Sequence, residues 1–368
     1  MERVVWDTAL ACVRDGDEVT VLTTPVAGYP AVWMEDGVTV EAVRGARAGR
    51  YSARWWWATA KYPHLSQFDE VISESAAATA MIWVQRSVRY TFHAHGTAVR
   101  ELNNVMRVRP RLWVAKALRY MWWAGIDRFT YGMCVRVVAA SEQVASALRH
   151  PWYAPAFRST RIEVRANAVD DQHFGYSSER RRAVRDSSGV ASDQVVVLTV
   201  SRLDRQKGVD RVLDALSARE DGALLWVGGT GPELGSLKNY ARELEVHERV
   251  DFLGFLDYSL VPDYLSAADI FVFPARYFER EALPLGVLEA LASGLRVLVP
   301  AGSSWPHEVA RSLEFIDMDD SSALRAAIER GGRRERFNRL PAVHSLSRWS
   351  INTDLETGRD DVTHQSIE

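Results

Sequence analysis

Glu281 and Glu289 stand eight residues apart in the stretch 274–294, PARYFEREALPLGVLEALASG, and the chemistry of this chain is read from them first. The apolar run 270–273 reads as a strand, and a helix is predicted to open at about Leu285, with Pro284 suited to the first helical position, where no N–H is needed. Glu281 then falls in a strand-to-helix loop and Glu289 on the first turns of the helix. In an open α/β sheet, ligands sit in the crevice at the carboxyl ends of the strands, where a helix N-terminus offers free N–H groups to an anion. Helical side chains tilt toward the N-terminus, so Glu289 reaches back into the crevice that Glu281 overhangs. Eight helical steps would separate the two by about 12 Å, more than the roughly 5–9.5 Å between the carboxyl groups of a hydrolytic pair. They therefore read as ligand holders, not as an acid and a base flanking one bond.

Other residues belong to the same rim. Ser201-Arg202-Leu203 leaves a strand and Lys207-Gly208 opens the next helix, so a guanidinium and an ammonium converge there; that pair suits a diphosphate and charge growing on it as a leaving group. Taken singly, the two are solvated surface charges. Gly228-Gly229-Thr230-Gly231-Pro232 follows another strand. With Gly235 and Asp251 it reads either as a dinucleotide turn with a ribose ligand or as a tight turn that lets backbone approach a neighbour. His95 lies where the run 90–97 leaves a strand, a position that serves either catalysis or a turn. Asp317-Met318-Asp319-Asp320 reads as the cap of a helix over 321–330 rather than as a metal site. There is no serine nucleophile elbow and no P-loop.

These residues need two domains to hold them. A chain of 368 residues, 47% apolar, is too long for one ordinary domain and apolar enough for two cores. Its net charge of −3 gives no global case for nucleic acid, and two cysteines, Cys12 and Cys134, make no disulfide framework or metal spacing, which fits a reducing cytoplasm. Charge is uneven: residues 86–165 hold 14 Lys and Arg against 4 acidic residues. Within them 107–123, RVRPRLWVAKALRYMWW, reads as a surface helix with one face in the core or as a segment lying on an anionic bilayer, with the protein peripheral at the inner face of the plasma membrane. No apolar run approaches the roughly 18 residues of a membrane span, and the N-terminus has no signal-like core.

Strands are expected at 19–22, 38–43, 69–73, 135–139 and 161–164 in the first half, with 90–97 a strand running into a loop that carries two histidines, and at 195–200, 223–227, 250–252, 270–273, 297–299 and 314–316 in the second. The second set alternates with helices, the pattern of a parallel sheet covered on both faces. The division is 1–170 for the first domain, 171–193 for a polar linker, 194–332 for the second domain and 333–368 for a polar tail. The chain opens on an amphipathic helix over 4–13, without the strand and Gly-rich turn that begin a doubly wound domain. The expectation is a first domain lacking its first strand, with Met1 a downstream start or the chain trimmed.

Ser201-Arg202-Leu203 with Lys207-Gly208, Gly229-Thr230-Gly231-Pro232, Val250-Asp251-Phe252-Leu253-Gly254, 268–274 (ADIFVFP) and Glu281 with 289–294 (EALASG) follow one another in the order that resembles family 4 of the retaining glycosyltransferases. The resemblance spans most of the second half, and more loosely the first through 16–22, His95-Gly96, Ala140-Ser141-Glu142 and 167–170. It implies the GT-B fold, two Rossmann-like domains with parallel sheets facing a cleft. It implies retaining transfer of a sugar from a nucleotide diphosphate donor to a glycan or lipid-linked acceptor, with no metal and no cofactor beyond that co-substrate. Arg202 and Lys207 would hold the diphosphate, Glu289 the ribose and Glu281 the sugar hydroxyls, with Leu283, Leu285, Gly229 and Gly231 lining the donor; His95 would approach the sugar from the first domain. Pro284 and Ala168 stand where the family usually has Gly, Ser201 is often Gly there, and the loop 275–280 is longer than usual. Two other readings are a nucleotide-sugar-binding chain inactive through its shortened first domain and, more remotely, an NAD(P)-dependent reductase built on Gly229 to Gly235.

Overall fold

The computed structural model describes residues 2–349 except 45, 46, 50, 64, 75, 103–112, 159, 218–221, 277–282 and 332–337. The first half runs α1 (Glu2–Arg14), β1 (Thr20–Thr23), β2 (Val32–Glu35), β3 (Val38–Ala42), α2 (Ala53–Ala60), β4 (Glu70–Ser73), α3 (Ala77–Val84), β5 (Arg89–Ala94), α4 (Trp113–Met133), β6 (Arg136–Ala139), α5 (Glu142–Leu148) and β7 (Arg161–Val164). After α6 (Ser178–Ser187) the second half runs β8 (Val196–Val200), α7 (Val209–Ser217), β9 (Leu224–Gly228), α8 (Leu234–Glu243), β10 (Val250–Gly254), α9 (Val261–Ala267), β11 (Ile270–Val272), α10 (Leu285–Ala292), β12 (Arg296–Pro300), α11 (His307–Ala310), β13 (Leu313–Ile316) and α12 (Ser321–Glu329).

The second half forms one six-stranded parallel sheet in the order β10-β9-β8-β11-β12-β13. Its inner strands are near-continuous apolar runs because both faces are covered, one by the cluster around Leu198, Phe271 and Leu288, the other by that around Val197, Val272 and Leu324. Between β8 and β11 the chain reverses its direction across the sheet, and the loops leaving these two strands flank a crevice there.

The first half holds two sheets, β1-β3-β2 and the parallel β4-β5-β6-β7, with no described pairing between β1 and β4. Strand β2 was not foreseen; it pairs antiparallel with β3 through Asp36 and Gly37, both at positive φ, the Asp-Gly hairpin signal.

The segments read as a polar linker and a polar tail both carry packed structure. The linker carries α6, capped by Ser177, whose Arg181 and Arg185 donate to the Ala267 carbonyl and pair with Asp269. The start of the tail returns to the first domain: Leu346 N–H donates to the Val169 carbonyl at 2.9 Å, Trp349 Nε1–H to the Ala166 carbonyl at 3.0 Å, and both side chains are buried beside Ala11 and Cys12 of α1. Residues 350–368 lie outside the described residues.

Candidate functional site

The rim of the second domain is assembled by backbone contact. Lys207 ends a short turn capped by Asp204, and Gly208 follows at φ +68°, where a Cβ would lie 2.3 Å from the Pro274 carbonyl oxygen. Arg276 N–H donates to the Gln206 carbonyl at 2.8 Å and Arg211 Nη1 to that of Pro274 at 3.1 Å. The loops after β8 and β11 thus meet at the switch point, which puts Lys207 on the same rim as the start of α10. Gly229, at φ +122°, and Gly231 lie so close to the 201–203 backbone that a Cβ would stand 1.9 Å from the Ser201 oxygen and 2.2 Å from that of Leu203. These glycines let two loops touch, the tight-turn reading, and their open side is taken by backbone rather than by a dinucleotide. Arg202 is the least constrained of the set: its side chain is 73% exposed, with Asp204 3.7 Å away.

Helix α10 opens at Leu285 as predicted, with Pro284 as its N-cap rather than its first helical residue. Val287 and Leu288 donate to the Pro284 carbonyl, which leaves the N–H groups of Leu285 and Gly286 without a partner among the described residues. Leu283 is buried, and its carbonyl accepts from Asn167 Nδ2 at 3.1 Å, a tie between the two halves. Glu281 lies outside the described residues.

Glu289 has neighbours that no local pattern announced. It is partly buried, and α1 of the first half brings Arg3 and Asp7 to it. The Arg3 guanidinium lies 3.7 Å from the centre of the Tyr258 ring and 2.8 Å from Asp7. Burial pushes the Glu289 carboxyl up to about 7, a rise reduced by Arg3 and increased by Asp7. Asp7 is itself raised to about 7, by burial first and Asp170 last, against the opposing charge of Arg3. Two carboxyls and one guanidinium thus share one partly buried cluster between α1 and α10.

On the opposite side, His95 follows β5 and donates through Nε2 to Glu74 Oε2 at 2.5 Å. His93, fully buried in β5, bonds Glu74 Oε1 through Nδ1 at 2.8 Å, and the Thr8 hydroxyl of α1 adds a contact to the same oxygen at 3.4 Å. Burial alone would raise Glu74, but the charge of His93 and the bonds from both histidines outweigh it and hold its carboxyl at about 2. Glu74, His93 and His95 also form, among the described residues, a group with the ligand types of a metal site, their atoms within 4.8 Å of one another. The 2.5 and 2.8 Å separations are hydrogen-bond lengths, whereas ligands bound tetrahedrally at 2.0–2.1 Å stand about 3.3 Å apart. Asp320 does cap α12, accepting from Ser322 N and Ala323 N.

A cleft of about 1070 Å³ opens between the halves, with Arg100, Ser141 and His150 on one wall and Ser304, Trp305 and Glu308 on the other. It lies beside the rim: Lys207 and Glu289 do not line it. In the basic segment, residues 107–112 lie outside the described residues; α4 exposes Leu118, Met121 and Trp122, each more than half accessible.

Residues 1–173 match the family described as Glycosyltransferase Family 4, and 180–331 that described as Glycosyl transferases group 1. The chain is 31% identical over 187 residues to the GDP-mannose-dependent alpha-(1-6)-phosphatidylinositol monomannoside mannosyltransferase of Mycolicibacterium smegmatis, covering 48% of each. It is 33% identical over 123 residues to the alpha-monoglucosyldiacylglycerol synthase of Streptococcus pneumoniae, covering 33% of this chain and 27% of that one. The match spans about half the length of the first relative and less of the second. Among solved structures, sucrose-phosphate synthase from Thermosynechococcus elongatus superposes with a TM-score of 0.71 at 17% identity, over 89% of this chain and 82% of that one. WaaG, a glycosyltransferase involved in lipopolysaccharide biosynthesis, gives 0.67 at 20% identity, over 89% and 86%. Anabaena HepE in complex with UDP gives 0.61 at 18%, over 89% and 85%. These neighbours share the GT-B fold with the chain. With its two halves matched in order by the two glycosyltransferase models, the chain belongs to the family 4 glycosyltransferases.

Proposed function

We propose that the chain is a retaining hexosyltransferase that moves a sugar from a nucleotide diphosphate donor to a lipid-linked or glycan acceptor, without a metal or further cofactor. The observation that carries this reading is the convergence at the switch point of Lys207, the unpartnered N–H groups opening α10, and Glu289. An ammonium and two amides suit a diphosphate, and a carboxyl one turn further suits ribose hydroxyls. Arg202 would swing onto the same phosphates, and Glu281 would hold the sugar hydroxyls. Retention is taken to proceed by front-side attack within a short-lived ion pair, with water kept out by the two facing domains. The relatives named for phosphatidylinositol mannoside and diacylglycerol support a lipid acceptor, as does the exposed apolar face of α4 beside Arg119. The protein would work in the cytoplasm, touching the inner face of the membrane; no described helix is long and apolar enough to cross it.

Calorimetric titration with UDP- and GDP-sugars, with donor hydrolysis followed on the same samples, tests the reading. One nucleotide is expected to bind, and Glu289→Ala to weaken it about tenfold to hundredfold through loss of a hydrogen bond to a charged group. Binding to neither would overturn the assignment; binding without turnover would favour the inactive binder. For the acceptor, sedimentation with anionic vesicles is expected to retain the wild type and release a variant with Arg109, Arg111, Lys116 and Arg119 neutralised. If the wild type ignores such vesicles, the lipid reading fails.

A further inference from the structure

We propose that Glu74 is a positioning residue, one buried carboxylate that fixes the ring orientation and tautomer of His95. The inference rests on the transferase reading, in which the family resemblance turns His95 toward the sugar, but its geometry stands by itself. Glu74 and His93 have side chains 5% and 0% exposed, whereas His95 is 23% exposed, so of the three His95 has the accessible side chain. Glu74 Oε1 is engaged by His93 Nδ1 at 2.8 Å and approached by Thr8 Oγ1 at 3.4 Å, which leaves Oε2 aimed at His95 Nε2 at 2.5 Å. The two imidazole centres lie 4.9 Å apart with their planes tilted by 33°, each ring bonded to its own oxygen of that carboxylate. An ionised carboxylate only accepts hydrogen bonds, so His95 must carry a proton on Nε2, which leaves Nδ1 as the ring nitrogen that Glu74 does not engage. His93 anchors the carboxylate from inside β5, the part that a second partner plays behind a catalytic imidazole. A second tie steadies the loop after His95: Asp127 Oδ2 accepts from Ala98 N at 3.0 Å and from the Tyr153 hydroxyl at 3.2 Å.

Glu74→Gln separates this role from mere packing, because it keeps the volume but supplies one acceptor and one donor. The amide NH₂ must face one of the two ring nitrogens, and that histidine must then exchange its tautomer. Imidazole ¹⁵N spectra of the full chain are expected to show His95 protonated at Nε2 in the wild type and redistributed in Glu74→Gln. Steady-state transfer should lose about tenfold to hundredfold in kcat, with KM for the donor changed less than threefold and a similar melting temperature. Wild-type His95 protonated at Nδ1 would overturn the proposal, as would wild-type kcat in Glu74→Gln. Stoichiometric binding of added Zn²⁺ that shifts both rings would overturn it too, since the carboxylate would then be a ligand. If the wild type binds and turns over no donor, the transferase reading fails, while the spectra still decide the tautomer.

Discussion

Replacing Lys207 by alanine is expected to lower kcat/KM for the donor by about a hundredfold to a thousandfold, mostly in kcat, the usual cost of removing one preorganised group that meets developing charge. Preorganisation is visible in the backbone. Lys207 is held between the Asp204 cap and Gly208, whose αL conformation and 2.3 Å Cβ approach to Pro274 admit no other residue without a shift. Its ammonium lies 5.8 Å from the centre of the Phe273 ring, at the end of β11. Such a cation need not reorganise when a diphosphate leaves. Arg202, 73% exposed, must be ordered by the ligand, so Arg202→Ala is expected to raise KM several-fold more than it lowers kcat. Steady-state kinetics on the two variants, with Lys207→Arg as control, makes the comparison. Equal effects on KM and kcat in both would show that neither position is preorganised for the reaction.

The difference between those two cations was not in the sequence, although their presence at one rim was. Strands β8, β9, β11 and β12 were legible because each is a run buried on both faces and bounded by a helix, so period and length agree. Helix α6 was missed for the converse reason: its inward face is made by Arg181 and Arg185, which satisfy carbonyls and Asp269 instead of filling a core. No apolar period marks such a helix. Strand β2 had a signal in Asp36-Gly37 that lay unused. Glu74 had none, since both its histidine partners follow in β5 and just after it, and Asp7 showed only its local pair with Arg3 on α1; its neighbour Glu289 comes from α10. Family motifs located Glu289 but not the charges around it.

Those charges give the second large effect. Asp7 and Glu289 are both raised to about 7 from ordinary values of 3.8 and 4.5. Between about pH 4 and 7 the folded chain therefore binds more protons than the unfolded one, and stability falls as pH rises through that window. At about 1.36 kcal/mol per pK unit, and with both groups sharing Arg3, the loss between pH 5 and 8 is about 2 kcal/mol for Asp7. Glu74 acts in the other direction and elsewhere: its depressed carboxyl contributes stability above about 4.5 that is lost as pH falls toward about 2. Asp7→Asn removes the ionisation and keeps the shape, so it should be more stabilising at pH 8 than at pH 5 by about 2 kcal/mol. Urea unfolding of wild type and variant at the two pH values measures this, and a difference that does not change with pH would refute it. The same coupling reaches the donor. If ribose hydroxyls donate to Glu289, binding favours its ionised form, so nucleotide binding near pH 7 should release a fraction of a proton, read as a buffer-dependent enthalpy. Asp7→Asn removes a negative charge from beside Glu289, lowers the cost of that ionisation, and should shrink the proton release while strengthening binding.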